Sequence, residues 1–347
     1  MKYKDVLFLK TIRDFLTVYL PRQRKLSDNT VRSYRMSLNL FFEFLSEKHE
    51  IPLYKLSFEH LTTELVTEYM SWLQEERSNS DTTCNQRLMA LRSFAKYASL
   101  TNPDNICIQV AVDNVPAKKC QSRIVSFFSE EALKALLDQP DTKKRNGIRN
   151  SCFMIVLYDT AARCQEMLDL RVGDIVFDDK NPYVFLTGKG NKTRTVPLMK
   201  RTVEHLKAYI SLFHPEESRS KDDWLFYTVI HGEKHQMSPD TVAAFLKKYA
   251  EQAREKCDDI PNSVHPHQFR HTRAIFWYRN GVPLVLVAEL LGHTDINTTQ
   301  IYAYSDTKMK REAIDKAMSN AQQSDDSAGF DRWKGDEDLI KQLLNLL

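Results

Sequence analysis

The stretch His265–Tyr304 reads HPHQFRHTRAIFWYRNGVPLVLVAELLGHTDINTTQIYAY. His267 and Arg270 stand three positions apart, so on a helix they share one face. Pro266 suits a first helical position and Gly281 is placed to end that helix. A short apolar helix is expected from Pro283 to Leu291, stopped by Gly292 just before His293. Asp295 or Asn297 can cap the next helix, which carries Tyr302. The pattern predicts a polar site assembled from helix ends over an apolar floor of Phe269, Ile275, Leu286, Val287, Leu290 and Leu291.

In order and spacing, His267-Gln268-Phe269-Arg270, Leu291-Gly292-His293 and Thr298-Thr299-Gln300-Ile301-Tyr302 resemble the C-terminal motif of the tyrosine recombinases, the phage-integrase family. The resemblance extends upstream. In Thr160-Ala161-Ala162-Arg163-Cys164-Gln165-Glu166, Arg163 and Glu166 fit the family's arginine with an acid three residues on. The family usually has glycine before that arginine, where this chain has Ala161-Ala162. Gly188-Lys189-Gly190-Asn191-Lys192 matches the family's β-hairpin with a lysine at its tip.

Around this core, 347 residues at 42% hydrophobic content allow two ordinary cores. No apolar run is long enough to span a bilayer. Charges interrupt the apolar residues of MKYKDVLFLKTIRDFL, which is not a signal-peptide layout, so a cytoplasmic protein is expected, and the resemblance implies that it associates with the nucleoid. The six cysteines are scattered with no C-x-x-C pair, which suits free thiols in a reducing compartment. The net charge of +3 is uneven. Residues 319–347 hold three basic and six acidic side chains, leaving +6 on the remainder. That excess is compatible with nucleic acid without requiring it.

Residues 1–110 read as helical throughout. Apolar residues recur at helical spacing from Lys4 to Tyr19, and Pro21–Lys25 reads as a break. Ser27 or Asp28 opens a helix with Val31, Tyr34, Leu38, Phe41, Phe42 and Leu45 inward. Leu61–Gln74 is a third helix, and Ser80 or Asp81 caps a fourth. Their opposite faces carry Arg32, Arg35, Arg87, Arg92 and Lys96, which can equally be solvated charges. The resemblance implies a SAM-like core-binding domain here that clamps duplex DNA with those residues. It implies a linker over 111–125, with Lys118, Lys119 and Arg123 along the DNA backbone. A catalytic domain is expected over 126–318. It is rich in helices, with strands at Ile175–Phe177, Tyr183–Leu186 and Arg194–Leu198 forming a small antiparallel hairpin sheet. The fold class is thus mainly α. The tail, 319–347, ends in a helix with Leu339, Ile340, Leu343, Leu344, Leu346 and Leu347 on an apolar stripe.

The resemblance implies a catalytic set of Arg163, Lys189, His267, Arg270, His293 and Tyr302, with Glu166 orienting Arg163 or His267. It implies a site-specific recombinase or integrase, of the kind found in mobile elements, that acts through a 3′-phosphotyrosine and a Holliday junction. The expected partners are double-stranded DNA with inverted-repeat core sites and a homotetramer joined by exchange of the C-terminal helix. No cofactor or metal is expected. His265, His267 and His271 are poorly spaced for zinc on a helix. Tyr304 is the alternative nucleophile. The rival readings are a type IB topoisomerase-like enzyme and a catalytically silent DNA-binding regulator.

Overall fold

The computed structural model describes residues 3–120, 125–188, 190–293, 295–305, 311 and 315. The chain divides into two units, Met1–Arg123 and Ile124–Leu347.

The first unit is helical. It comprises α1 (Tyr3–Asp14), α2 (Asp28–His49), α3 (Thr63–Glu75), α4 (Asp81–Thr101) and α5 (Ile106–Asp113). Ser27, Thr62 and Ser80 each accept a hydrogen bond from the backbone N–H three residues on, which satisfies one of the open donors at the helix start. Phe8, Phe15, Leu38, Phe41, Phe44, Leu88, Leu91 and Phe94 build the core. The break expected at Pro21 is displaced. A wide-turn π-helix spans Phe15–Gln23 with Pro21 inside it. Proline cannot donate to a regular helical ladder, and a widened turn accommodates it without stopping the helix. Residues 111–118, read as linker, pack with this unit. Val112 and Val115 enter its core. Asn85 grips the Lys118 backbone twice, accepting from its N–H at 2.8 Å and donating to its carbonyl at 2.9 Å.

The second unit begins with α6 (Glu130–Leu137), α7 (Arg145–Thr160) and α8 (Cys164–Asp169), followed by β1 (Ile175–Val176), β2 (Tyr183–Gly188) and β3 (Lys192–Pro197). The three strands form an antiparallel sheet in the order β1-β2-β3, with Val184 opposite Val196 and Gly188 opposite Lys192. Then come α9 (Lys200–Phe213), β4 (Tyr227–Ile230), β5 (Glu233–Gln236), α10 (Pro239–Arg254), α11 (Pro266–Arg279), α12 (Leu284–Leu291) and α13 (Asn297–Ser305). The mainly α class is as expected, with two small sheets instead of one. The β4–β5 hairpin was not read because His231-Gly232 replaces the usual Asn-Gly. Both residues take positive φ, 51° and 86°, as a tight hairpin turn needs.

Helix α7 is mostly buried from Gly147 onward, with Phe153, Met154, Val156 and Leu157 wholly inside. It supports α11 through an ion pair. Arg273 Nη2 donates to Asp159 Oδ1 at 2.7 Å, and Asp159 Oδ2 accepts the Met199 N–H that opens α9. Phe269 anchors the first turn of α11 in the main core, edge-on to Phe128 at 5.1 Å. Burying such a ring is worth about 2–3 kcal/mol. Leu286 does not join the floor expected of it and is 45% exposed. The helix expected over 307–318 (apart from positions 311 and 315), the tail 319–347, Lys189 and Arg123 lie outside the described residues.

Candidate active site

The last carbonyls of a helix have no intrahelical donor. At the end of α12 three arginines take three successive ones. Arg194 Nε donates to Leu290 O at 2.8 Å, Arg270 Nη2 to Leu291 O at 2.7 Å, and Arg163 Nη2 to Gly292 O at 3.4 Å. The helix dipole places negative potential at that end, which offsets repulsion among the guanidinium groups. Gly292 makes the turn possible. Its φ is +65°, and a Cβ there would meet Arg194 Cδ at 3.0 Å. The Leu-Gly-His spacing thus has a structural reason as well as a chemical one.

Glu166 is the anion of this cluster. Oε1 accepts from Arg163 Nη1 at 2.7 Å and Arg194 Nη1 at 3.0 Å. Oε2 accepts from the Arg163 backbone N–H at 2.8 Å and Arg194 Nη2 at 2.7 Å. Burial alone would raise its pKa, but the hydrogen bonds and charge of Arg194 and Arg163 overcome it and hold the carboxyl at about 2. Arg270 is 1% exposed, and its other terminal nitrogen donates to Ala161 O at 2.9 Å. Burial, then neighbouring Arg163, lower its pKa to about 10, so it stays charged at neutral pH. Ala161 ends α7 in the left-handed region, φ 50°, where the family usually has glycine. The turn forms with alanine and delivers its carbonyl to Arg270.

His267 lies one turn from His271 on α11, with ring centroids 4.9 Å apart. Desolvation by the surrounding protein, then Arg270, lowers its pKa. His293 Nδ1 lies 2.8 Å from the Oγ1 of buried Thr299. Desolvation followed by Arg270 and Arg163 lowers the His293 pKa to about 4. Tyr302 is 1% exposed and packs with Ala161, Ala274, Ile275, Val287 and Leu291. Its hydroxyl sits 2.9 Å from His271 Nδ1. Burial raises its pKa to about 12, against the pull of Arg270 and Arg163. Gly188, the residue before Lys189, reaches the cluster, since a Cβ on it would fall 2.9 Å from Glu166 Oε1.

Of the seven residues expected from the sequence, the fold brings together Arg163, Glu166, His267, Arg270, His293 and Tyr302, and Lys189 lies outside the described residues. The sequence reading missed two participants. Arg194 was read only as a strand residue, although its position on the strand returning from the hairpin was available as a signal. His271 was considered only as a metal ligand, although its i+4 spacing from His267 puts both on one face.

The other candidates divide. In the first unit Arg32, Arg35, Lys96 and Lys119 are exposed. Arg87 donates to Ser37 Oγ at 2.9 Å, and Arg92 to Val115 O at 2.6 Å. The ammonium of Lys118 bonds Gln74. Arg92 and Lys118 thus fasten residues 113–118 to their own unit. A groove between α2 and α4 is lined by Ser33, Ser37, Thr82, Asn85 and Gln86, side chains able to bond a polar ligand. Among the described residues no helix is long and apolar enough to cross a membrane.

The Phage integrase family model matches residues 126–309, and the Phage integrase, N-terminal SAM-like domain model matches residues 12–101. The chain belongs to the phage integrase family. It is a tyrosine-type site-specific recombinase, an enzyme class of DNA recombination. A tyrosine recombinase of Pseudothermotoga lettingae is 31% identical over 302 residues, spanning 86% of this chain and 96% of its own. The tyrosine recombinase XerC of Chlamydia caviae is 27% identical over 313 residues, with 86% and 96% covered. Among solved structures, the XerH site-specific recombinase bound to palindromic difH substrate in a post-cleavage complex matches with a TM-score of 0.66 at 22% identity. That match covers 84% of this chain and 80% of XerH. A lambda integrase tetramer bound to a Holliday junction matches with a TM-score of 0.63 at 13% identity, covering 85% and 76%. At these identities the structural likeness establishes the recombinase fold.

Proposed function

We propose that this tyrosine recombinase cleaves and rejoins DNA through a covalent 3′-phosphotyrosine on Tyr302. The observation that carries the reading is the convergence of Arg163, Arg270 and His293 at the end of α12 with Tyr302 on the next helix. A free tyrosine is ionised to only about one part in a thousand at neutral pH. Attack on a phosphodiester therefore needs a proton acceptor and stabilisation of a more negative phosphorane. Arg163 and Arg270 supply charge-assisted hydrogen bonds to the non-bridging oxygens, and protein carbonyls hold both in place beforehand. His293 donates to the phosphate, and His267 serves as acid, base or relay. Glu166 orients Arg163. Lys189, which follows β2 in sequence, protonates the departing 5′-oxygen. The covalent bond conserves backbone energy, so strands exchange without ATP, and the arginines supply the charge without a metal.

Two inverted-repeat core sites, four protomers and a Holliday-junction intermediate complete the proposal, in keeping with the lambda integrase tetramer on such a junction. Exposed Arg32, Arg35, Lys96 and Lys119 contact DNA phosphates, with Arg123 in the linker. Arg87, Arg92 and Lys118 contribute mainly by holding the clamp's own shape. The apolar helix of the tail docks on a neighbouring protomer in the synapse and acts in the cytoplasm at the nucleoid with the rest of the chain.

The test uses a nicked suicide substrate carrying the core site, then supercoiled plasmid. Covalent adduct together with strand exchange is expected. Relaxation without exchange would indicate a topoisomerase, and neither would indicate a DNA-binding regulator. A substrate with a 5′-bridging phosphorothiolate sharpens the role of Lys189, because sulfur leaves without a proton. Lys189→Ala should slow the normal substrate far more than the sulfur one.

A further inference from the structure

The phenol that the proposed chemistry depends on does not meet the histidine of the His-x-x-Arg motif. Among the described residues, the hydrogen-bond partner of the Tyr302 hydroxyl is His271, at 2.9 Å from Nδ1. The two rings lie 5.7 Å apart and tilted, which directs an edge nitrogen at the oxygen. His271 is held from both sides. Thr272, next in α11, accepts the Phe128 N–H through its hydroxyl at 2.9 Å. Arg270, just before it, is fixed to Ala161 and Leu291. The segment of α11 that carries His271 is therefore braced, and the contact with Tyr302 orients its ring as a proton acceptor needs.

We infer that His271 takes the proton of the Tyr302 hydroxyl as that oxygen attacks the scissile phosphate, leaving His267 to act on the phosphate. This rests on the reading proposed above. With Nδ1 accepting the phenolic hydrogen, the ring's own proton is on Nε2. In the step, the bond from Tyr302 Oη to phosphorus forms as the bond from phosphorus to the 5′-oxygen breaks. The phenolic proton passes to His271 Nδ1, and Lys189 supplies a proton to the 5′-oxygen. Rejoining reverses both transfers.

The electrostatic setting gives this acceptor a dependence on substrate. The titratable and charged groups that act on the ring are His265 at the N-cap of α11, His267 and Arg270 of α11, His293 just past α12, and Tyr302 of α13. Desolvation, followed by His267, Arg270, His265 and His293, lowers the His271 pKa to about 4. The ring is neutral and a weak base without DNA, while Tyr302 stays protonated. A phosphodiester held by Arg270 offsets the part of the lowering that this guanidinium causes, while the part caused by burial remains.

Single-turnover cleavage of the nicked substrate by the full chain tests this, with His271→Ala, His271→Gln, His267→Ala and Tyr302→Phe compared. Wild-type adduct that is absent in Tyr302→Phe upholds the underlying reading; no wild-type adduct overturns that reading and this inference together. Given adduct, His271→Ala should lose about 100-fold or more in rate with DNA binding retained, and added imidazole should restore part of it. His271→Gln, which can hold the hydroxyl but cannot take its proton, should be equally slow. A Gln variant within about threefold of wild type would reduce His271 to a tether. Imidazole rescue of His267→Ala, with none for His271→Ala, would return the proton to His267.

Discussion

The two ends of the candidate site are held very differently. At the arginine end, Glu166 accepts four hydrogen bonds, and Arg163, Arg194 and Arg270 each reach one of three successive carbonyls at the close of α12. At the tyrosine end, the hydroxyl of Tyr302 is held by His271 across 2.9 Å, on a nine-residue helix. The first arrangement is over-determined, and removing one contact leaves several. The second relies on apolar packing and one polar contact. A phosphate-binding cradle gains from being rigid before its ligand arrives, because no reorganisation is then needed in the transition state. A nucleophile that must stay unreactive until DNA is bound gains from being buried and lightly tied.

This contrast can be broken at several points. The largest effect is expected from Tyr302→Phe, which should abolish covalent adduct while leaving DNA binding nearly intact in a gel-shift assay. Adduct in the Phe variant would move the nucleophile to Tyr304 or elsewhere. Next, Arg270→Lys should lower single-turnover cleavage by about 10²–10³, because one ammonium cannot bond Ala161 O, Leu291 O and a phosphate in the fork geometry of a guanidinium. Near-normal cleavage would show that the cradle needs only charge.

Glu166→Gln tests whether the arginine end is as robust as its geometry suggests. The change strands two guanidinium groups beside a neutral amide, and breaking a buried pair of this kind costs about 3–5 kcal/mol. Thermal unfolding should register that loss. Arg194→Lys should give a smaller loss of stability and a fall in cleavage, through Arg163. Independent, additive effects of the two substitutions would mean that they do not form one network.

Acid separates the two ends again. His271 and His293 have folded-state pKa values of about 4, below those of unfolded imidazoles. As pH falls through about 6.5 the unfolded chain binds protons that the folded site refuses, so stability should fall between about pH 6.5 and 4. Glu166 has the opposite sign. Its contribution is present above the unfolded carboxylate pKa and is lost only as pH approaches about 2. Thermal melts across this range should show the histidine-dependent decline first. It should shrink in His271→Gln.

Much of this site was legible because its residues are tied to local helix grammar. Pro266, Gly281 and Gly292 mark the ends of α11 and α12, and the positions of His267, Arg270 and His293 follow from those ends. Arg194 was legible only as a basic residue on the strand returning from the hairpin, since its partners Glu166 and Leu290 are distant in sequence and no local spacing encodes them. Ala161, two positions before Arg163, shows the reverse limit. Ala161 adopts a φ of 50° that favours glycine, and its buried methyl lies in the small core with Tyr302 and Ile275. Left-handed alanine costs about 1–2 kcal/mol. Replacing it with glycine forfeits about 0.8 kcal/mol of methyl burial and about 0.4–1 kcal/mol of unfolded-state restriction. Ala161→Gly should therefore change stability by less than about 1 kcal/mol in chemical denaturation, the smallest effect expected here.

The central claim is that Tyr302 becomes joined to DNA. Trapping the protein on a suicide substrate, digesting it and locating the nucleotide-bearing peptide by mass spectrometry tests that directly. The account predicts a 3′-phosphonucleotide on Tyr302 alone, whereas a nucleotide on Tyr304 or on a histidine, or no covalent peptide at all, would contradict it.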